Sequence, residues 1–192
     1  MSSITSVSPR TLADVIPGGL ARSVALVVGG AAFVGLTAQV VVPLPFSPVP
    51  LSLQTFSVLL VGAVLGSRRG AASMGLYLVA GVAGVPWFTQ QQSGWAFASF
   101  GYVVGFVLAA YLVGRLAERG ADRTVLRTAG LMVLGNLAIY AVGVPGLVLI
   151  AGMDLAQALL VGVVPFLIGD ALKIALAAGL LPATWKLIGH RG

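Results

Sequence analysis

Apolar residues run along this chain in stretches longer than a membrane core is thick, and polar residues fall almost wholly between them. A hydrocarbon core of about 30 Å needs about 20 residues of helix to cross it. The apolar runs and their polar punctuation predict helices at roughly 24–42, 51–66, 70–88, 96–114, 128–150 and 157–182. The pattern therefore predicts an all-α integral membrane protein with six transmembrane helices. They form a single membrane domain over residues 1–192, with a cytoplasmic arm at 1–22 and a short cytoplasmic tail. The first span is longer than a usual signal-peptide core and runs into the proline-rich PLPFSPVP at 43–50, so it is expected to be retained.

Composition agrees with that solvent. Only 8% of residues are charged and 58% are hydrophobic, with a mean hydropathy of +1.04, whereas soluble domains are about a quarter charged. The net charge of +6 does not suggest nucleic-acid binding, because the basic residues punctuate the apolar runs instead of forming one basic face. Arg10 and Arg22 precede the first span, Arg68 and Arg69 separate the second and third, and Arg115, Arg119, Arg123 and Arg127 separate the fourth and fifth. Lys186 and Arg191 follow the sixth. The alternate connectors, at 43–50, 89–94 and around Asp154, carry no basic residue. By the positive-inside rule both termini are cytoplasmic and the protein is a multi-pass protein of the cell membrane.

Two ionisable residues interrupt the apolar stretch 160–181, LVGVVPFLIGDALKIALAAGLL: Asp170 and Lys173. A charge at the centre of a spanning helix costs roughly 2.5–3.5 kcal/mol on insertion scales, so such residues usually face the bundle interior and serve a polar ligand, an ion or a proton. Three apart on a helix, they share a face. Together they offer acceptors and donors at nearly zero net charge, which suits a neutral polar ring better than a bare ion. An internal ion pair that only locks helices is the simpler alternative. Pro165 cannot donate to the carbonyl of Val161, and Gly169 adds a weak point, so a kink toward the outer half is expected.

Other polar groups reach the outer half or middle of the bundle: Gln54 and Thr55 in the second span, Tyr102 in the fourth and Asn136 in the fifth. Each could bridge helices or meet a ligand. Trp87, Phe88 and Trp95 flank the external connector at 89–94, as an interfacial belt or as a lid over a ligand. Ala21, Ala25 and Gly29 recur every fourth residue and make a flat stripe on the first span, either packed inside the bundle or free to dock another membrane helix.

Nothing in the chain looks catalytic, so an enzyme is not expected. No metal-ligand cluster or phosphate-binding loop is present, and neither cofactor nor metal is predicted. Cysteine is absent, and the single histidine, His190, lies in the polar tail as a surface residue. Three classes fit: a binding subunit for a vitamin-sized solute, a self-sufficient secondary transporter coupling protons or ions through Asp170, and a scaffold that binds membrane partners.

The blocks VPLSLQTFSVLLVGAVLGSRRGA at 49–71, GVPWF at 84–88, SFGYVVGF at 99–106, GNLAIYAVGVPG at 135–146 and PFLIGDALKIALAA at 165–178 resemble the biotin-binding S component of energy-coupling-factor transporters, the BioY family. The resemblance covers about two-thirds of the chain. It implies a six-helix substrate-capture subunit that takes biotin from outside and works with a membrane coupling protein and two cytoplasmic ATPases. It further implies that Asp170 and Lys173 contact the polar groups of biotin, the carboxylate accepting from ureido N–H groups, with Gln90 and its neighbours contributing from the connector between spans three and four. SFGY stands where the family often carries a longer G-P-T-G-G-Y.

Overall fold

A computed structural model describes residues 10–189; His190 and Arg191 lie outside the described residues, as do residues 1–9 of the arm expected at 1–22. A short 3-10 helix at Leu12–Val15 is followed by α1 (Leu20–Thr37), a two-stranded antiparallel hairpin of β1 (Val41–Val42) and β2 (Leu51–Ser52), α2 (Gln54–Leu65) and α3 (Ser67–Val82). A long connector with one 3-10 turn leads to α4 (Phe100–Ala117) and α5 (Val125–Ala151). Then α6 (Leu155–Gly162), a 3-10 turn at Val164–Phe166 and α7 (Leu167–Gly189) complete the chain.

Among the described residues, four helical stretches are long and apolar enough to cross a membrane: α1, α4, α5, and the run Leu155–Ile188 that holds α6 and most of α7. Two of the six expected spans are shorter than their apolar runs. The second, expected at 51–66, is the 12-residue α2, about 18 Å long at the usual helical rise. Pro48 and Pro50 favour extended chain before it, and residues 51–52 pair in the hairpin instead. Most of α2 is buried, including Gln54, Ser57, Val58, Leu59, Val61 and Gly62, so protein surrounds this short helix. The third, expected at 70–88, is α3, which starts at Ser67 and stops at Val82. Gly84 adopts φ +110° and Pro86 follows, which ends the helix before Trp87 and Phe88. The first helix starts at Leu20, so Arg22 belongs to its first turn and not to the arm.

Close backbone approach holds the centre of the bundle. A Cβ at Gly62 would come within 2.7 Å of the Ala110 carbonyl oxygen, and one at Gly146 within 2.7 Å of the Gly101 Cα. Without a hydrophobic drive between helices in lipid, such contact supplies the packing energy.

Polar contacts gather the connectors at two ends. At one, Glu118 accepts from the backbone N–H and the hydroxyl of Ser67, Arg69 pairs with Asp14 at 3.0 Å, and Trp185 Nε1 donates to the buried Asp122 at 2.6 Å. At the other, the hairpin, the 83–99 connector and the break between α6 and α7 come together through Gln39, Ser47 and Gln54.

Candidate functional site

The break in the last apolar run shapes this second end. Pro165 leaves the Val161 carbonyl without its helical donor, and the Ser47 hydroxyl donates to it at 2.7 Å. The Phe166 N–H bonds back to the Val163 carbonyl, so the Gly162 carbonyl is also freed, and the Tyr102 hydroxyl donates to it at 2.8 Å. Two side chains from other elements thus hold the break, and α7 starts from it at a fixed angle. Asp170 follows within the first turn of α7.

A cavity lies beside that turn. Asp170, Lys173, Thr55 and Tyr140 form its polar floor. Asp170 is only 5% exposed; the Tyr140 hydroxyl donates to its Oδ2, and Lys173 Nζ lies 3.6 Å from its Oδ1. Lys173 also donates to Thr55 Oγ1 at 2.8 Å. The opposing wall is apolar, with Val49, Phe97, Val103, Phe106 and Phe166. The lining therefore offers a mostly apolar body one carboxylate and one ammonium, the composition of small-molecule pockets in general.

Gln54 of α2 and Thr89 of the 83–99 connector are both in the cavity wall. The Gln54 amide is used at both ends: Nε2 donates to the Tyr77 hydroxyl at 2.7 Å, and Oε1 accepts from the Thr89 hydroxyl at 2.7 Å. Tyr77 in turn donates to the Trp87 carbonyl at 3.0 Å. This chain ties the connector to α2. Within it Gln90 and Gln91 have φ of 61° and 57°, a left-handed conformation uncommon for non-glycine residues.

Of the residues singled out from sequence, Asp170, Lys173, Gln54, Thr55 and Tyr102 come together around the cavity. Asn136 is buried in α5, one turn from Tyr140, and does not form part of the cavity wall; nor do Gln90 and Trp95. Gln90 is exposed, and Trp95 is 66% exposed. Ala21, Ala25 and Gly29 lie on an exposed side of α1, and a Cβ at Gly29 would meet nothing within 4 Å. Sequence reasoning missed Tyr140 and Thr89. The signal for Tyr140 was a phenol inside an apolar helix, which needs a hydrogen-bond partner once buried.

Comparison with known proteins brings a family to this geometry. The family model described as the BioY family matches residues 5–190. The biotin transporter BioY of Rhizobium etli is 35% identical over 147 residues, covering 71% of this chain and 78% of that protein. The biotin transporter BioY of Thermotoga maritima is 36% identical over 140 residues, covering 71% and 81%. Among solved structures, the S-component for biotin from an ECF-type ABC transporter superposes with a TM-score of 0.76 at 21% identity, over 86% of this chain and 92% of that one. At that identity the likeness is one of fold.

Proposed function

The chain belongs to the BioY family, and on that premise we propose that it is a membrane subunit that captures biotin and delivers it through an ATPase-driven coupling module. The observation that carries the proposal is the pair Asp170 and Lys173, 3.6 Å apart on one face of α7, in the floor of a chamber that also has an apolar wall. Asp170 accepts from the ureido N–H groups of the ligand and Lys173 donates to a ligand oxygen. Phe97, Phe106 and Phe166 cover the bicyclic ring and the alkyl chain. Tyr140 and Thr55 hold the two charged groups in place, and Gln54 with Thr89 fixes the connector above.

The same proposal sets the protein in the cell membrane as one domain of six crossings, α6 and α7 together making the sixth. Both termini face the cytoplasm and the chamber opens outward. In support, the arginine-bearing connectors gather at one end of the bundle and the chamber lies at the other. The short α2 crosses within protein, so it need not match the bilayer. A transmembrane coupling protein docks on the Ala21, Ala25 and Gly29 stripe, which leaves room for another helix to approach, and its cytoplasmic ATPases supply the energy.

Reconstitution tests this reading. Vesicles holding the chain with a coupling protein and its ATPases should accumulate biotin only when ATP is present. Accumulation by the chain alone, following a proton or ion gradient, would replace the proposal with the self-sufficient transporter.

A further inference from the structure

The end of the bundle away from the cavity carries a second, differently built depression. A cleft opens between the N-terminal arm, the α2–α3 turn and the end of α4, lined by Arg10, Arg68, Arg69 and Arg115 together with Asp14 and Glu118. Both carboxylates stay ionised. Burial tends to raise each, but hydrogen bonds from Thr11 and Arg69 to Asp14, and from Ser67 and Arg115 to Glu118, outweigh it and hold both below the usual range. Four arginines against two carboxylates leave the cleft positive. Asp14 is engaged by Arg69 at 3.0 Å and Glu118 by Ser67 and Arg115, so the acidic charge is already used within the protein. Arg68 is exposed at the mouth.

The cleft is not isolated. Leu65, in its wall, is also in the wall of an apolar groove that runs between α1 and α2. Leu26, Gly29, Phe33, Val61 and Val64 line that groove, whose surface is almost entirely carbon. Beside Asp14 of the cleft lies Arg22, whose guanidinium reaches the Ala13 carbonyl and is 3.8 Å from the Asp14 carboxylate. Its Nε is buried with no hydrogen-bond partner among the described residues, so one donor there lacks an acceptor. A positive cleft at a helix end, joined to an apolar groove running along the helices, has the polarity of a phospholipid with an anionic headgroup.

We infer that one anionic phospholipid binds here, its phosphate among Arg10, Arg68, Arg69 and Arg115 and an acyl chain in the groove beside Val64. Basic residues near a membrane surface attract anionic lipid additively, and the groove holds the chain by apolar contact. The lipid belongs to the isolated subunit. A helix docked on Ala25 and Gly29 would take the place of its acyl chain.

The test is a titration of delipidated protein in detergent with phosphatidylglycerol or with phosphatidylcholine of identical acyl chains, read by native mass spectrometry. Phosphatidylglycerol should bind more tightly, and the Arg10→Gln/Arg68→Gln variant should lose about fivefold per arginine, approaching phosphatidylcholine. Val64→Trp, which fills the groove, should also weaken phosphatidylglycerol. Glycerol 3-phosphate, with the phosphate and no chains, should not compete at equal concentration. Neither the arginines nor Val64 line the outer cavity, so retained biotin binding reports that each variant is folded. Equal binding of the two lipids, or an arginine variant that binds like the parent, overturns the inference. So does full competition by glycerol 3-phosphate, which would make the cleft a site for a free anion.

Discussion

The Ser47 hydroxyl and the Val161 carbonyl, 114 residues apart in sequence, meet at 2.7 Å where Pro165 has removed the helical donor. This bond joins the loop before α2 to the break that starts α7, and so to the turn bearing Asp170. Ser47→Ala should leave the part-buried carbonyl without its protein partner, at a cost of about 1 kcal/mol. The expected outcome is a lower thermal unfolding midpoint in detergent together with weaker biotin binding, because the floor loses its fixed angle. A Ser47→Ala protein identical to the parent in both would show that Pro165 and Tyr102 suffice to hold the break.

Orientation can be read chemically. The chain has no cysteine, so single cysteines report without background. Gln91→Cys, in the connector over the chamber, should react with a membrane-impermeant maleimide on intact cells. Arg119→Cys, just past the end of α4, should react only after the membrane is opened. Labelling of position 119 from outside would reverse the proposed sidedness of the chamber.

Docking and capture should separate. Gly29 is open on α1 and far in the fold from Asp170, so Gly29→Leu should block close approach of a coupling helix without touching the chamber. Biotin binding by the purified variant should match the parent, while ATP-driven uptake in cells holding the coupling proteins should be lost. Full uptake would move the docking surface elsewhere.

The charged residues and the proline of the last run were legible because an apolar background makes them conspicuous. Asp170, Lys173 and the kink at Pro165 needed no knowledge of other helices. The short α2 was not legible, since hydropathy reports how apolar a run is and not whether protein or lipid surrounds it. Tyr140, Thr89 and Ser47 were missed for a related reason. Ser47 and Thr89 lie in connectors, where no periodicity marks a partner, and only tertiary approach reveals that the Tyr140 hydroxyl reaches Asp170. Trp95, conspicuous in sequence, instead projects away at the surface.

The most direct measurement is a calorimetric titration of detergent-purified protein with biotin, and with thiamine and riboflavin as controls, on the parent, Asp170→Asn, Lys173→Ala and the double variant. The parent should bind biotin alone. Each single variant should lose about 2–5 kcal/mol of binding, because it strands the remaining partner at 3.6 Å in a buried site. The double variant should lose less than the two single losses added, since no partner is stranded. Unchanged biotin affinity in a folded Asp170→Asn protein, or equal binding of the three vitamins by the parent, would contradict the account.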